Sequence, residues 1–402
     1  MNSKKIVFLI NSLEGGGAER VVSTLLNSLV EEYVCYLILM ENKISYKLDN
    51  RINVINLNEK SNQNGIVKLI KIPIIAYRVS KIIKQYELNQ VISFLHRANY
   101  VNVISGLFSN YKVIISERIA SSSMYSDNSM TSKVSKFLIK NLYNKSDLII
   151  SVSNAIESDL KNNFNIKNKQ VVIYNPYDIE NINRLAQEPI DYEINKEKSI
   201  ITAGSLGKRK NHALLIKSFS MLDDEAYKLY VLGQGEDGQH LKTLVKVLNI
   251  ESRVVFLGFD SNPYKYLSKC SIFVLSSNSE GFPNVLAEAM VCGCSVISTD
   301  CLSGPREILA PNSDVVFPLK DDIELAEYGL LTAIKNEEKL KEAMELMISN
   351  KALREKYSKK AKERMACFSI KKIIKQYEAV ICYNTPTNQD NKTRVLISNK
   401  LN

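Results

Sequence analysis

Short apolar runs alternate along the chain with longer segments in which apolar residues recur every three or four positions. In the first half the short runs are residues 6–10, 35–40, 52–57, 91–95, 113–116, 148–152 and 171–174. In the second half they are 200–204, 229–232, 254–257, 272–275, 295–298 and 315–317. Each is nearly continuous in Val, Ile and Leu, which predicts strands covered by helices on both faces. The segments between them predict those helices, so each half reads as a doubly wound α/β series. Two series predict two domains, and 402 residues exceed the roughly 250–300 that one core accommodates. The polar stretch 175–198, with Pro176 and Pro189, is the expected linker. The expected domains are 1–183 and 184–367, with a helix over about 368–383 packing back on the first. Residues 385–402, rich in Asn, Thr and Lys, are expected to form a flexible tail.

Composition adds constraints. Hydrophobic residues at 45% and charged residues at 24% describe an ordinary globular chain. No apolar run approaches the ~18–20 residues of a membrane span, and the first ten residues lack a leader pattern, so the expected location is the cytoplasm. Seven cysteines, none in Cys-x-x-Cys spacing, argue against a disulfide framework or a zinc site.

The net charge of +10 is uneven: residues 1–183 carry 22 Lys and Arg against 15 Asp and Glu, the remainder 31 against 28. An anionic partner is therefore sought in the first half. Residues 66–85 hold Lys68, Lys71, Arg78, Lys81 and Lys84 and no acid, beside an apolar stripe of Ile72, Ile75, Val79, Ile82 and Ile83. The run from Lys133 to Lys140 is similar. Either these helices bury their stripes and solvate their lysines, or they meet an anionic membrane on the cytoplasmic face. Nucleic acid is not an expected partner, because the charges lack interleaved aromatics and no recognition motif is present.

The chemistry concentrates in Ser279-Glu280-Gly281-Phe282-Pro283-Asn284-Val285-Leu286-Ala287-Glu288. It follows a predicted strand and opens a predicted helix, whose first N–H groups at Asn284, Val285 and Leu286 suit a phosphate. Glu280 and Glu288 are eight apart, just over two helical turns, which would let both address one ligand. Glycine turns follow other strands: Gly15-Gly16-Gly17, Gly204-Ser205-Leu206-Gly207-Lys208-Arg209-Lys210, and Gly233-Gln234-Gly235. Three successive cations at a parallel strand's carboxyl end lie where such sheets bind ligands. His96 and Arg118 end two strands of the first half and are candidates for acceptor contact; a hydrogen-bonded structural histidine is the alternative for His96.

These residues resemble the family 4 retaining glycosyltransferases of the GT-B fold, two Rossmann-like domains with an interdomain cleft. Glu280 and Glu288 match that family's Glu-x7-Glu motif, and the segments 256–259, 293–300 and 304–309 are similar to family segments. The resemblance implies that Glu288 binds the nucleotide ribose and that Glu280 contacts the transferred sugar, with Gly281 and Phe282 lining that end. It implies backbone donors at Asn284, Val285 and Leu286 for the distal phosphate, and Lys210 as the phosphate-binding lysine. The catalytic candidates are Glu280 and Lys210, together with His96 from its place at a strand's carboxyl end. Gly16, Gly17, Gly204, Gly233 and Phe259 complete the expected donor site. Ser205 departs from the family's usual arginine, which leaves Arg209 or Lys208 to substitute.

No Asp-x-Asp motif is present, so the expected enzyme uses no metal and no cofactor, with a nucleotide-diphosphate sugar as co-substrate. The expected donor is a UDP-hexose or UDP-N-acetylhexosamine, with GDP-mannose as the alternative. The expected acceptor is a glycan, most simply one on a polyprenyl diphosphate, in surface polysaccharide synthesis. A nucleotide-sugar epimerase is the rival enzyme class.

Overall fold

A computed structural model describes residues 4–191, 193–315 and 318–382. The chain forms two compact units: residues 4–176 with 371–382, and residues 177–370.

The described residues of the first unit form a seven-stranded parallel sheet. Its strands are β1 (Lys5–Ile10), β2 (Val34–Leu39), β3 (Asn53–Asn56), β4 (Gln90–Phe94), β5 (Lys112–Glu117), β6 (Leu148–Ser151) and β7 (Gln170–Val172). The order is β3-β2-β1-β4-β5-β6-β7, with Phe8 opposite both Leu37 and Ile92. The order reverses between β1 and β4, the place where doubly wound sheets open a crevice at the strands' carboxyl ends.

Each face of the sheet has its own core. On one, Ile6, Phe8 and Ile10 pack with the helices Gly17–Leu29 and Ile370–Cys382, the latter contributing Ile373, Tyr377 and Val380. On the other, Val7, Leu9 and Ile115 meet the helices Ile72–Gln85, His96–Gly106, Met130–Leu142 and Asn154–Phe164. Of the stripe expected at Ile72, Ile75, Val79, Ile82 and Ile83, all but the half-buried Ile82 are buried here, so the expected apolar row is core. Pro73 lies in the first turn of that helix, where its missing N–H has no helical partner to lose.

The second unit repeats the plan. Its strands are β8 (Ser199–Ala203), β9 (Lys228–Leu232), β10 (Val254–Gly258), β11 (Ile272–Leu275), β12 (Ser295–Thr299), β13 (Ile323–Leu325) and β14 (Leu330–Thr332). The order is β10-β9-β8-β11-β12-β14-β13, parallel except for β13 against β14. The helices His212–Ser220, Gly238–Val247 and Glu337–Ser349 close one face over Ile200, Val231, Val274 and Ile297.

Three expectations shift. The polar stretch read as a linker contains a helix, Ile179–Leu185, whose N-terminus Asp178 caps through the Asn181 N–H at 3.1 Å. The three-residue strands β13 and β14 escaped a periodicity reading, since three residues give no period to detect. The strand expected over 315–317, and the tail over 385–402, fall on positions outside the described residues except Val315.

Candidate active site

In the second unit, the carboxyl ends of β8, β9, β11 and β12 carry the loops that the sequence singled out. Glu280 lies in the loop between β11 and the helix Asn284–Val291 and is 4% exposed. Lys210, from the loop after β8, places Nζ 2.6 Å from Glu280 Oε1. Arg209 places Nη1 3.3 Å from Oε2 and donates to the Ser279 carbonyl at 3.1 Å. Ser277 Oγ adds a bond to Oε1 at 2.6 Å. Burial opposes the charge of Glu280, but the charges of Lys210 and Arg209 and the bonds from Lys210 and Ser277 outweigh it, so its carboxyl titrates below the ordinary 4.5.

The two loops are laced together. The Asn278 N–H donates to the Arg209 carbonyl at 2.8 Å, and Ser276 Oγ donates to the Lys210 carbonyl at 3.1 Å. Asn211 takes a left-handed conformation (φ +48°), accepts from the Leu214 N–H and donates to Asn278 at 3.2 Å. Of the two candidates to replace the arginine missing at exposed Ser205, Arg209 is the one that reaches the carboxylate.

A third loop supports the Glu280 segment from below. Ser303 Oγ donates to the Glu280 carbonyl, although Ser303 is not glycine and sits at φ +64°. At Gly304 (φ +90°) a Cβ would stand 2.5 Å from Pro283 Cδ and 2.9 Å from the Gly281 carbonyl. Arg306 holds the loop's other end through both oxygens of Asp300, the closest contact being 2.6 Å. Gly233, at φ +140°, has the Gly204 carbonyl where a Cβ would go (1.9 Å), so the loops after β8 and β9 meet backbone to backbone. Its N–H donates to Gly258 at 2.6 Å, and Phe259, next in sequence, is exposed.

Glu288 is buried on the helix, with the Tyr264 hydroxyl 3.5 Å from Oε1. The helix begins only at Asn284, so Glu280 and Glu288 do not share a helical face; the loop and the helix bring each in separately. Among the expected backbone donors, the Leu286 N–H is directed to the Pro283 carbonyl at 3.1 Å. The Asn284 side chain accepts from the Tyr177 hydroxyl at 3.0 Å, and Phe282 packs against Phe368 with ring centroids 5.4 Å apart.

In the first unit, His96 opens the helix after β4 and is buried. Its Nε2 is 2.9 Å from Ser121 Oγ and 3.3 Å from Glu117 Oε1. Tyr143 donates to the other Glu117 oxygen at 2.7 Å. Leu95, just before His96, has φ +75°, an uncommon conformation for a non-glycine residue. Arg118 is buried, with its guanidinium on Asn175, near Ser116 Oγ at 3.5 Å and over the Phe94 ring. Gly16 caps the helix Gly17–Leu29 and accepts from the Tyr46 hydroxyl at 3.0 Å. Sequence reading missed Ser277, Asn278, Ser303 and Glu117 as members of the site.

Comparison with known proteins gives the family. Residues 186–364 match the family described as Glycosyl transferases group 1, and residues 15–181 match Glycosyltransferase Family 4. The chain is 39% identical over 375 residues to N-acetylgalactosamine-N,N'-diacetylbacillosaminyl-diphospho-undecaprenol 4-alpha-N-acetylgalactosaminyltransferase of Campylobacter jejuni, an alignment covering 92% of this chain and 98% of that one. The chain belongs to glycosyltransferase family 4.

This glycosyltransferase has the GT-B fold, which its structural neighbours share. Anabaena HepE in complex with UDP superposes with a TM-score of 0.72 at 19% identity, over 94% of this chain and 99% of that one. Sucrose-phosphate synthase from Thermosynechococcus elongatus gives 0.77 at 16% identity, over 94% and 98%. A second Campylobacter jejuni relative, a GalNAc-alpha-(1->4)-GalNAc-alpha-(1->3)-diNAcBac-PP-undecaprenol alpha-1,4-N-acetyl-D-galactosaminyltransferase, is 27% identical over 94% of this chain and 98% of its own. No helix among the described residues is long and apolar enough to cross a membrane.

Proposed function

We propose that this glycosyltransferase moves an N-acetylhexosamine or hexose from a UDP-sugar, with retention and without a metal, to a glycan carried on a polyprenyl diphosphate. The observation that carries the reading is the buried Glu280 carboxylate gripped by Lys210 and Arg209 at the carboxyl ends of β8 and β11. The 39% identical relative, named for transfer to an undecaprenyl-diphosphate-linked sugar, supports the acceptor class and makes N-acetylgalactosamine the first sugar to try. The UDP named with the HepE structure supports the base.

In this reading the bond from sugar C1 to the β-phosphate oxygen breaks while a bond from C1 to the acceptor oxygen forms on the same face. The acceptor's proton passes to the leaving phosphate, and a nucleoside diphosphate is released. An ammonium has three donors, so Lys210 can hold Glu280 and a phosphate oxygen at once. Arg209 and the start of the helix Asn284–Val291 add positive potential where leaving-group charge grows. Glu280, kept ionised by its neighbours, orients sugar hydroxyls and stabilises positive charge at C1; Glu288 holds the ribose. In this reading the enzyme works at the cytoplasmic face of the cell membrane, where such an acceptor would be reached.

A thermal-shift panel of UDP- and GDP-sugars, followed by NMR of the product's anomeric proton, tests the reading. A midpoint raised by UDP-N-acetylgalactosamine and an α-configured product from an α-linked donor support it. A response confined to GDP-mannose, an inverted product, or epimer formed without acceptor each defeats it.

A further inference from the structure

The helical layer over Val7, Leu9 and Ile115 does more than cover its sheet. Besides the buried row at Ile72, Ile75, Val79 and Ile83, the segments Gly65–Ile70 and Ile72–Gln85 present a second apolar row outward. Ile66, Ile70, Ile74 and Tyr77 follow one another at helical spacing, with Ile70 71% and Ile74 64% exposed. The row continues onto the turn that follows the helix His96–Gly106, because the Tyr77 ring stands edge-on to Phe108 at 6.2 Å and Leu107 beside it is exposed. Further along the layer, the helix Met130–Leu142 turns Met130 (67%) and Phe137 (66%) outward. On the opposite face, the exposed positions of Gly17–Leu29 and the described part of Ile370–Cys382 include no such large apolar side chain. The asymmetry is between two sides of one domain.

Charge says what covers it. Residues 60–86, 88–116 and 128–146, which contain these four helices, include no Asp or Glu. Acids from neighbouring elements do reach the layer: Glu41 pairs with Lys68 and Arg97, Glu59 with Lys71 and Arg78, Glu117 lies 3.3 Å from His96, and Asp127 accepts from Ser129 and Ser132 at the start of Met130–Leu142. Among the described residues no ion pair engages Lys81, Lys84, Lys133 or Lys140. Lys81 instead lies over the Tyr77 ring at 4.7 Å, so cation and apolar row share one surface. A protein partner would need a groove or a complementary acid pattern. An exposed apolar row beside charges of one sign fits an anionic lipid interface, with side chains entering the headgroup boundary and lysines reaching phosphates.

We infer that this outer ridge, centred on Ile70, Ile74 and Tyr77 and flanked by Lys81, Lys84, Lys133 and Lys140, is the face by which the first domain docks on anionic lipid. The proposal rests on the reading of a membrane-borne acceptor only for its biological setting, since vesicles without acceptor or donor test the surface by itself. Loss of transfer activity would sink that reading without touching this one.

The chain has no tryptophan, so Ile74→Trp is a sole reporter on the ridge and Val247→Trp, at an exposed position of the second unit, is its control. With phosphatidylglycerol-containing vesicles, Ile74→Trp emission shifts to the blue and is quenched by brominated acyl chains, while Val247→Trp is unchanged. Binding is salt-sensitive and weak on phosphatidylcholine alone. The doubly substituted Ile70→Glu/Ile74→Glu protein keeps its thermal midpoint, because both sites are exposed, and loses about tenfold or more of its vesicle-bound fraction. An unaltered bound fraction in that variant overturns the proposal. So does Ile74→Trp emission that shifts with protein concentration in the absence of lipid, which would report a second copy on the ridge.

Discussion

Glu280 is a carboxylate that burial alone would neutralise, and the cations of one short loop reverse that outcome. Lys210 is therefore the side chain whose loss is felt twice, at Glu280 and at the leaving phosphate. Removing one preorganised donor from such a site costs about 3–4 kcal/mol in the barrier, so Lys210→Ala is expected to lower kcat at least about a hundredfold. A kcat within a few-fold of the parent would remove Lys210 from the chemistry.

A neighbour sets a separate pH response. Burial, and then Lys210, push His212 down to about 4 from 6.5, and its Nδ1 has no hydrogen-bond partner among the described residues. The unfolded chain takes a proton near pH 6.5 that the folded chain refuses until about pH 4, so stability falls as the pH drops through that window, by at most about 3 kcal/mol. Glu280 acts lower: its contribution is complete above 4.5 and is lost as the pH falls through its depressed folded value. Urea midpoints across both windows separate the two, His212→Gln flattening the upper slope and Glu280→Gln the lower. An upper slope unchanged in His212→Gln would refute its assignment. At this scale the sequence was legible where charge type and spacing were enough, as for Glu280 and Lys210. It was silent on Ser303 and Glu117, because a serine or glutamate at or beyond a strand's end looks alike whether it faces solvent or a buried polar partner.

The site's supporting elements are loops of four strands stacked on one another, and their backbones leave little freedom. Ser303→Gly removes the bond to the Glu280 carbonyl but also relieves a left-handed backbone, two effects of about 1 kcal/mol each that offset. Ser303→Ala loses the bond and keeps the strain, and is expected to be about 1 kcal/mol less stable than the parent. Both should raise the donor KM, since both free the segment that carries Glu280. Gly304→Ala forces a Cβ against Pro283 and Gly281 and is expected to cost about 2 kcal/mol or more in urea unfolding. A Ser303→Ala protein as stable as the parent, with an unchanged KM, would show the Ser303 bond to be idle. The strands that hold these loops were readable because continuous Val, Ile and Leu runs have few other uses in such a chain. The helix Ile179–Leu185 was not, since its caps and exposed face are as polar as a linker.

Over the whole molecule, the first domain is made from two stretches of chain separated by the whole of the second. Ile373, Tyr377 and Val380 from the second stretch are buried against the same sheet as Ile6 and Phe8. A chain ending at residue 370 is expected to keep slow amide exchange in β8, β9, β11 and β12 and to lose it in β1 and β2. Equal protection in both sheets would mean that the closing helix is dispensable. The same arrangement bears on biosynthesis. Residues 177–370 are a continuous run, whereas the first core waits for 371–382 to leave the ribosome. Translation thus delivers one finished half while the other still has an open flank for chaperones to shield, and the part made earliest is the last to close.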